Sequence, residues 1–201
     1  METAGGRSAS LKDQVLRSID ESIAVKELLK SQADRITGAT EIVIRCIKDG
    51  GKVLLFGNGG SAADAQHIAA EFVGRYVLER RPIPAVALTA NTSSLTAIAN
   101  DMGFESVFQR QVDALCNGKD AVIGISTSGN SRNVLLGIEA AKAKRATTIG
   151  LTGGDGGRMA HMVDLAIIVP SEVTSRIQES HILIGHIMSE LVERAVLGVP
   201  P

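Results

Sequence analysis

The sequence of residues 53–71 is Val-Leu-Leu-Phe-Gly-Asn-Gly-Gly-Ser-Ala-Ala-Asp-Ala-Gln-His-Ile-Ala-Ala-Glu. Its apolar start predicts a buried strand, its glycines predict a tight turn, and its alanine-rich run from Ser61 predicts a helix. His67 and Glu71 are four residues apart, which places them on one face of that helix. The stretch therefore predicts a strand, a turn of backbone donors and two possible metal ligands in succession.

The chain beyond this stretch alternates strands with helices. We predict strands at Lys52–Phe56, Ala85–Leu88, Ala121–Ile125, Thr147–Leu151 and Leu165–Val169. We predict helices at Ser61–Tyr76, Thr92–Asn100, Glu105–Cys116, Asn133–Lys144 and about Arg176–Leu197. The strands are continuous apolar runs, which indicates a parallel sheet covered on both faces. The predicted fold class is therefore α/β, with a doubly wound five-stranded parallel sheet.

The first 50 residues stand apart from this alternation. Residues 1–10 are small and polar and are expected to be flexible. Residues 11–50 show two helical rhythms of apolar residues, and Asp49-Gly50-Gly51 ends the second one as a helix cap. These helices form either a cap on one face of the sheet or an oligomerisation element. Residues 51–201 then form the main domain.

The composition limits the class of protein. The chain has 201 residues, of which 44% are hydrophobic, 21% charged and 2% aromatic, so we expect one globular domain with an aliphatic core. The net charge of −1 and the scarcity of aromatic residues argue against nucleic-acid binding. No apolar run approaches about 18 residues, and Cys46 and Cys116 form no CxxC pair. We therefore expect a soluble cytoplasmic protein with reduced cysteines and no membrane contact.

In sheets of this kind, ligands bind beyond the carboxyl ends of the strands. Residues Gly57–Ala62 occupy such a position and match the GxGxxA pattern of dinucleotide-binding turns. That site needs an acidic residue at the end of the second strand, whereas residues 87–91 are Ala-Leu-Thr-Ala-Asn. The pattern therefore argues against a nicotinamide cofactor, and the backbone N–H groups of the turn remain available to an oxyanion.

The segment Ser126-Thr127-Ser128-Gly129-Asn130-Ser131 follows the third strand and opens a helix. Its four hydroxyls and the N-terminus of the helix suit a phosphate monoester. The segment lacks the lysine of a nucleotide P-loop, and residues 124–128 lack the last glycine of a serine-hydrolase elbow. The simpler interpretation is helix capping, which needs only one or two hydroxyls. We favour phosphate binding.

The final helix carries Gln178, His181 and His186, and Gln178 and His186 share a face because they are eight residues apart. If that face meets His67 and Glu71, two imidazoles, a carboxylate and an amide could hold zinc. The same groups could instead move a proton between neighbouring carbons of a sugar. Purely structural roles for the histidines also remain open.

These motifs occur in one order: a Gly-Asn-Gly-Gly-Ser turn, the His67/Glu71 pair, Asn100-Asp101, the Ser-Thr-Ser-Gly-Asn-Ser segment and an Ile-Gln-Glu-x-His-x4-His helix. From about Leu11 onward the sequence resembles the sugar isomerase (SIS) domain family, and within it the phosphoheptose isomerases. The resemblance implies a flavodoxin-like SIS domain that converts sedoheptulose 7-phosphate to D-glycero-D-manno-heptose 7-phosphate. It also implies a homotetramer and a first step of ADP- or GDP-heptose biosynthesis for lipopolysaccharide or another surface glycan.

The resemblance further implies roles for individual residues. One zinc ion per subunit would be held by His67, Glu71, Gln178 and His186. Glu71 would act as the base and His186 as the acid, with a cis-enediol between the two proton transfers. The phosphate would be bound by Ser126, Thr127, Ser128 and Ser131. The sugar would be contacted by Asn58, Gly59, Gly60, Ser61, Glu71, Asn100, Asp101 and Gln178.

Three further points follow from the resemblance. Arg75 matches a position that reaches the phosphate of a neighbouring subunit. For Asn100 and Asp101, the alternative role of a helix cap stays open. Some family members carry an acid three residues before Gln178, where this chain has Ser175. Rival functions are a non-catalytic SIS-type tetramer that binds the bacterial replication initiator protein, and a SIS protein for a hexosamine phosphate. The presence of both Glu71 and His186 favours the enzyme.

Overall fold

The computed structural model of the chain describes residues 10–199. Residues 1–9, which were predicted to be flexible, lie outside this range. Ser10 caps the first helix: its Oγ accepts the N–H of Asp13 at 3.1 Å, and the Asp13 carboxylate accepts the N–H of Ser10 at 3.0 Å. This reciprocal capping box fixes where the first helix begins.

Within residues 10–199 the helices are α1 (Leu11–Leu29), α2 (Ala33–Lys48), α3 (Gly60–Val73), α4 (Thr92–Met102), α5 (Val107–Leu115), α6 (Arg132–Ala143), α7 (Met159–Met162) and α8 (Thr174–Leu197). The strands are β1 (Val53–Gly57), β2 (Ala85–Ala87), β3 (Ala121–Ile125), β4 (Thr147–Gly153) and β5 (Leu165–Val169). Short 3₁₀ turns at Lys30–Gln32 and Phe104–Ser106 precede α2 and α5. None of these helices is both long enough and apolar enough to cross a membrane.

The five strands form one parallel sheet in the order β2-β1-β3-β4-β5. Gly57 of β1 pairs with Ile125 of β3, so the carboxyl ends of these two strands are adjacent. The chain turns to β2 on one side of β1 and to β3 on the other, and such a reversal is where doubly wound sheets bind ligands. The predicted fold class is confirmed.

Strand β1 shows how the sheet is covered on both faces. Val53 and Leu55 join a core shared with α2, α3 and α8, whereas Leu54 and Phe56 join a second core shared with α5, α6 and α7. All the residues of β1 are buried. This two-sided burial explains the uninterrupted apolar runs of the sequence.

The two N-terminal helices differ in their burial. Helix α2 buries residues such as Ile36 and Val43 in the core that it shares with the sheet and α8. In α1 only Leu29 is buried, while apolar side chains spaced at four residues are exposed: Leu11, Val15, Ile19 and Ile23. Helix α2 therefore covers part of one sheet face, and α1 presents an apolar stripe to the outside.

Two element boundaries differ from the predictions because of hydrogen bonds to other elements of the fold. Helix α3 ends at Val73 and not at Tyr76, because the N–H of Tyr76 donates to the carboxylate of Glu193 on α8. Strand β4 continues two residues beyond its predicted end, because Thr152 and Gly153 pair with Ile168 and Val169 of β5. Both boundaries depend on partners that are distant in the sequence.

Candidate active site

The turn between β1 and α3, residues 57–60, packs directly against the final helix; we call it the glycine turn. Gly59 has a φ of 55°, a value that favours glycine. A side chain at position 60 would place its Cβ 2.5 Å from Nε2 of Gln178. Glycine at this position therefore makes room for the Gln178 amide. The structure brings together Gly59, Gly60 and Gln178, three of the residues predicted to contact a sugar.

Three of the predicted metal ligands, His67, Glu71 and His186, meet between α3 and α8; we call them the ligand cluster. His67 Nε2 lies 3.2 Å from Glu71 Oε1 and 3.2 Å from His186 Nε2. One ligand atom from each residue lies within 4.8 Å of the other two. Two ring nitrogens that face each other at this distance cannot both carry a proton, so at least one presents a lone pair.

The ligand cluster is open to solvent, since His67 is exposed and Glu71 and His186 are half-buried. Two imidazole nitrogens and a carboxylate oxygen form a donor set typical of zinc sites. Imidazole and carboxylate groups are also the side chains that most often transfer protons in enzymes. The arrangement is therefore suited to a divalent ion, to proton transfer, or to both.

A second glycine permits the close approach of the two helices. A Cβ at Gly185 would lie 2.5 Å from Cδ1 of Ile68, so α8 touches α3 at this point. Gly185 directly precedes His186, and Ile68 directly follows His67. The contact at Gly185 thus brings together two histidines that are 119 positions apart.

Two further side chains near the ligand cluster carried no clear signal in the sequence. The ring centroid of Tyr76 lies 5.7 Å from that of His186, and Tyr76 is the only tyrosine of the chain. Asp64 lies one turn before His67 on α3 and is half-buried. Burial raises the pKa of Asp64 to about 6, and the nearby His67 opposes this rise. Asp64 lies near the cluster because of its helical spacing from His67, whereas Tyr76 reaches His186 only because of how the chain folds.

Residues Ser126–Ser131, which we call the serine loop, form a compact turn at the carboxyl end of β3. Ser126 Oγ donates to Ser131 Oγ at 3.0 Å, and the N–H of Gly129 donates to the carbonyl of Ser126 at 3.0 Å. Ser131 is the N-cap residue of α6, yet its side chain makes no capping bond. Helix capping by Ser131 therefore does not account for this hydroxyl. A cavity of about 220 Å³ adjoins Thr127 and Ser128.

A pair of amides joins the glycine turn to the helix that follows the serine loop. Asn58 Nδ2 donates to Asn133 Oδ1, and Asn133 Nδ2 donates to Asn58 Oδ1, each at 2.9 Å. Asn133 is buried on α6, and its Oδ1 also accepts the N–H of Val134. Asn58 therefore has a positioning contact in addition to its predicted contact with a sugar. Sequence analysis missed Asn133, which no motif distinguishes from its neighbours.

His181 lies in the interior between α8 and β4. Its Nε2 is 3.1 Å from the carbonyl oxygen of Thr152, which can only accept, so Nε2 carries the proton. Burial lowers the pKa of His181 to about 4, and the hydrogen bond to Thr152 opposes this effect in part. His181 is therefore neutral at pH 7 and anchors α8 to the end of β4. Among the alternatives left open by the sequence, the structural role applies to this histidine.

Other predicted site residues lie apart from the ligand cluster. Asn100 and Asp101 belong to α4, which packs on the opposite face of the sheet, and Asn100 Nδ2 donates to Asp101 Oδ1 at 2.8 Å. Arg75 is exposed and paired with Glu79, and Ser61 is buried at the start of α3. A cavity of about 800 Å³ between β2, α4 and α5 contains none of the predicted site residues. The roles of these four residues in substrate binding stay predictions.

Comparisons with known proteins agree with one another. The profile of the SIS domain family matches residues 19–153. The chain is 54% identical to the phosphoheptose isomerase of Aquifex aeolicus, with 92% of this chain and 97% of that protein covered. It is 48% identical to the phosphoheptose isomerase of Sulfurimonas denitrificans, with 94% and 98% covered. The solved structure of a phosphoheptose isomerase from Neisseria gonorrhoeae matches with a TM-score of 0.87 at 44% identity, covering 92% of this chain and 99% of that one.

Proposed function

The chain belongs to the phosphoheptose isomerases of the SIS domain family, and on this premise we propose which of its residues carry out the reaction. The enzyme interconverts sedoheptulose 7-phosphate, a ketose, and D-glycero-D-manno-heptose 7-phosphate, an aldose. The observation that carries the assignment of residues is the convergence of His67, Glu71 and His186 at the contact of α3 with α8.

The reaction exchanges protons between two neighbouring carbons. In the direction from ketose to aldose, one proton leaves C1, one is added at C2, and the hydroxyl proton moves from O1 to O2, so the formula is unchanged. We assign removal of the C1 proton to Glu71 and delivery of the C2 proton to His186, with a cis-enediol between the two transfers. A ligand atom of Glu71 and one of His186 lie within 4.8 Å, which suits contact with adjacent carbons.

We also propose that the ligand cluster holds zinc. His67, Glu71 and His186 would supply two ring nitrogens and a carboxylate oxygen, and the amide oxygen of Gln178 would be the fourth ligand. The facing ring nitrogens of the two histidines, of which at least one presents a lone pair, support this proposal. Zinc bound there would supply a Lewis acid able to polarise a carbonyl group.

The substrate's phosphate is assigned to the serine loop. The N-terminus of α6 would bind it together with four hydroxyls, which belong to Ser126, Thr127, Ser128 and Ser131. The sugar would contact the glycine turn, its neighbours and α4: Asn58, Gly59, Gly60, Ser61, Glu71, Asn100, Asp101 and Gln178. The Asn58–Asn133 amide pair supports this division, because it holds the sugar-binding turn against the helix that follows the phosphate-binding loop.

We propose further that the enzyme is a homotetramer in which α1 forms a subunit contact. Leu11 is 81% exposed, and three more apolar side chains continue its stripe along the helix. Contiguous exposed apolar surface of this kind commonly marks an interface. Arg75 would then reach the phosphate of a neighbouring subunit. We place the enzyme in the cytoplasm, at the first step towards the heptose of lipopolysaccharide or another surface glycan.

A non-catalytic SIS tetramer that binds the replication initiator protein is not favoured. Two relatives that are 54% and 48% identical over most of the chain bear the name phosphoheptose isomerase. The chain also carries both proposed proton-transfer groups, Glu71 and His186, within reach of each other.

The function is tested by turnover of sedoheptulose 7-phosphate by the purified, metal-loaded protein, with the product identified by NMR. Formation of the aldose heptose 7-phosphate is expected, and glucosamine 6-phosphate serves as the comparison substrate for the hexosamine alternative. No turnover of the heptulose would overturn the function.

Zinc requires a separate measurement, namely elemental analysis of protein purified without chelator. One zinc ion per chain is expected, together with loss of activity on chelation and recovery when zinc is returned. Protein without bound metal whose activity is indifferent to chelator would overturn the zinc proposal while leaving acid–base catalysis in place.

A further inference from the structure

A buried ion pair joins α8 to the segment that follows α3, and these two helices carry the ligand cluster. Arg80 Nε donates to Glu193 Oε1 at 3.0 Å, and the two side chains are 0% and 1% exposed. Neither residue belongs to the proposed contacts with substrate or metal. Burying two charges costs desolvation energy, which geometry and additional hydrogen bonds must offset. The partners of both groups show what this ion pair does.

The guanidinium of Arg80 caps the end of α3. It donates to the carbonyl of Glu71 at 2.7 Å and to that of Phe72 at 2.9 Å. These carbonyls lie in the last turn of the helix, where no further intrahelical donor is available and where a cation is favoured by the helix dipole. The same group donates to the carbonyls of Gly74 and Arg81. Arg80 thus holds the backbone of the proposed base itself.

The carboxylate of Glu193 holds the segment that follows α3. It accepts the N–H groups of Tyr76, Val77 and Leu78 at 2.9, 2.8 and 2.8 Å. Burial alone would raise the pKa of Glu193, but these N–H groups and Arg80 outweigh it and hold the pKa below its usual range. The segment they fix contains no helix or strand, so its course is held by these three bonds together with those that Arg80 donates to Gly74 and Arg81.

Glu193 also has a defined relation to the proposed acid. It lies seven residues after His186 on α8, which is about two turns along the same side of the helix. Tyr76, whose N–H it binds, places its ring 5.7 Å from the ring of His186. The ion pair therefore connects the end of α3 beside Glu71 with the stretch of α8 beside His186.

We infer that Arg80 and Glu193 are positioning residues of the isomerase, which fix α3 against α8 and thereby set the placement of Glu71 relative to His186. The inference rests on the proposed roles of those two residues. A misplacement of reacting groups by about 1 Å can cost about 100-fold in rate. The serine loop lies on other elements, so phosphate binding should not depend on the ion pair.

The test compares Arg80→Lys and Glu193→Gln with wild type at a temperature where circular dichroism shows each protein folded. Lysine keeps the charge of Arg80 but cannot reach four carbonyls, and glutamine keeps the size of Glu193 but loses its charge. We expect kcat to fall about 100-fold, and the Kd for zinc to rise about 10- to 100-fold. The Kd for inorganic phosphate should be unchanged.

Glu190→Gln is the matched control, because Glu190 pairs with Arg194 at 3.4 Å on the outer side of the same helix. Its kcat should equal that of wild type. If the variants show a lower unfolding temperature but an unchanged kcat, the ion pair is merely structural and the inference is wrong. An equal loss of phosphate affinity would overturn it as well, since it would reveal a general disturbance.

Two further provisions keep the result decisive. If Glu193→Gln does not fold, Arg80→Lys and Glu193→Asp, which both retain the two opposite charges, give the same comparison. If wild type itself does not turn over the heptulose, the proposed function fails. In that case the positioning role is tested by the Kd for zinc, measured for the variants, for wild type and for Glu190→Gln. A Kd for zinc that is unchanged in the variants would overturn the positioning role.

Discussion

The two halves of the candidate site are built in different ways. The serine loop is one continuous segment, and much of its hydrogen bonding lies within the loop itself. The ligand cluster joins His67 and Glu71 on α3 to His186, which is 119 positions from His67 on α8. The residues of the first half are therefore contiguous in the sequence, whereas those of the second meet only where two helices pack. If the halves are separable, catalysis and phosphate binding can be changed one at a time.

The largest effect is expected from Glu71→Gln, which removes the proposed base and leaves the side chain's size. We expect kcat to fall by about 1,000-fold, within the range that general acid–base groups contribute. The Kd for inorganic phosphate should not change, because the serine loop is untouched. Steady-state kinetics and calorimetric phosphate titration measure the two quantities. Glu139→Gln, an exposed glutamate on α6, is the control that keeps wild-type kcat.

His186→Ala extends the same test to the other helix. A comparable fall in kcat with retained phosphate affinity would confirm that α3 and α8 act together in proton transfer. Full activity of either variant would contradict the assigned roles. It would also contradict the assignment of catalysis to the ligand cluster and of phosphate binding to the serine loop.

A smaller effect is expected from the histidine that anchors α8 beneath the end of β4. Burial lowers the pKa of His181 to about 4 from its ordinary value of 6.5, so between these pH values the unfolded chain binds a proton that the folded chain excludes. The stability is fully present above pH 6.5 and decreases as the pH falls, by about 3 kcal/mol at pH 4. Urea unfolding at a series of pH values measures this decrease.

His181→Gln should remove that part of the pH dependence, because glutamine does not titrate. His161→Gln provides the control, since His161 is exposed and its replacement should leave the slope unchanged. An identical slope in His181→Gln and wild type would show that another group causes the acid sensitivity.

The smallest effect is expected from Ser126→Ala, which removes a single hydroxyl from the serine loop. A hydrogen bond to a charged group contributes about 1.5–3 kcal/mol, so the Kd for phosphate should rise at least about tenfold. Zinc content should stay at the wild-type value. Thr96→Ala is a suitable control, because the Thr96 hydroxyl only bonds the backbone of its own helix. Unchanged phosphate binding would place the anion on another loop.

The fold class was predictable from the sequence because of the strands. Residues 53–56 and 121–125 are apolar without interruption, and a strand can have this composition only if both faces of its sheet are covered. The ends of α3 and β4 were not predictable. They depend on the carboxylate of Glu193 and on pairing with the end of β5, which no local pattern connects to these ends.

The candidate site shows the same limit. Helical spacing alone placed His67 and Glu71 on one face, and hydroxyl content alone marked the serine loop. The meeting of His67 with His186 depends on how α8 crosses α3, for which Gly185 is the only local sign. Asn133, which holds Asn58, acts through a tertiary hydrogen bond, and such bonds leave no periodic trace in a sequence.

The position of α8 at the end of the described chain has a consequence for synthesis. The ribosome releases the glycine turn and the serine loop before it releases α8, which supplies Gln178 and His186. A nascent chain that stops before Thr174 therefore contains the whole serine loop but only two of the three residues of the ligand cluster. The groups proposed to hold metal and move protons therefore come together only after α8 has left the ribosome.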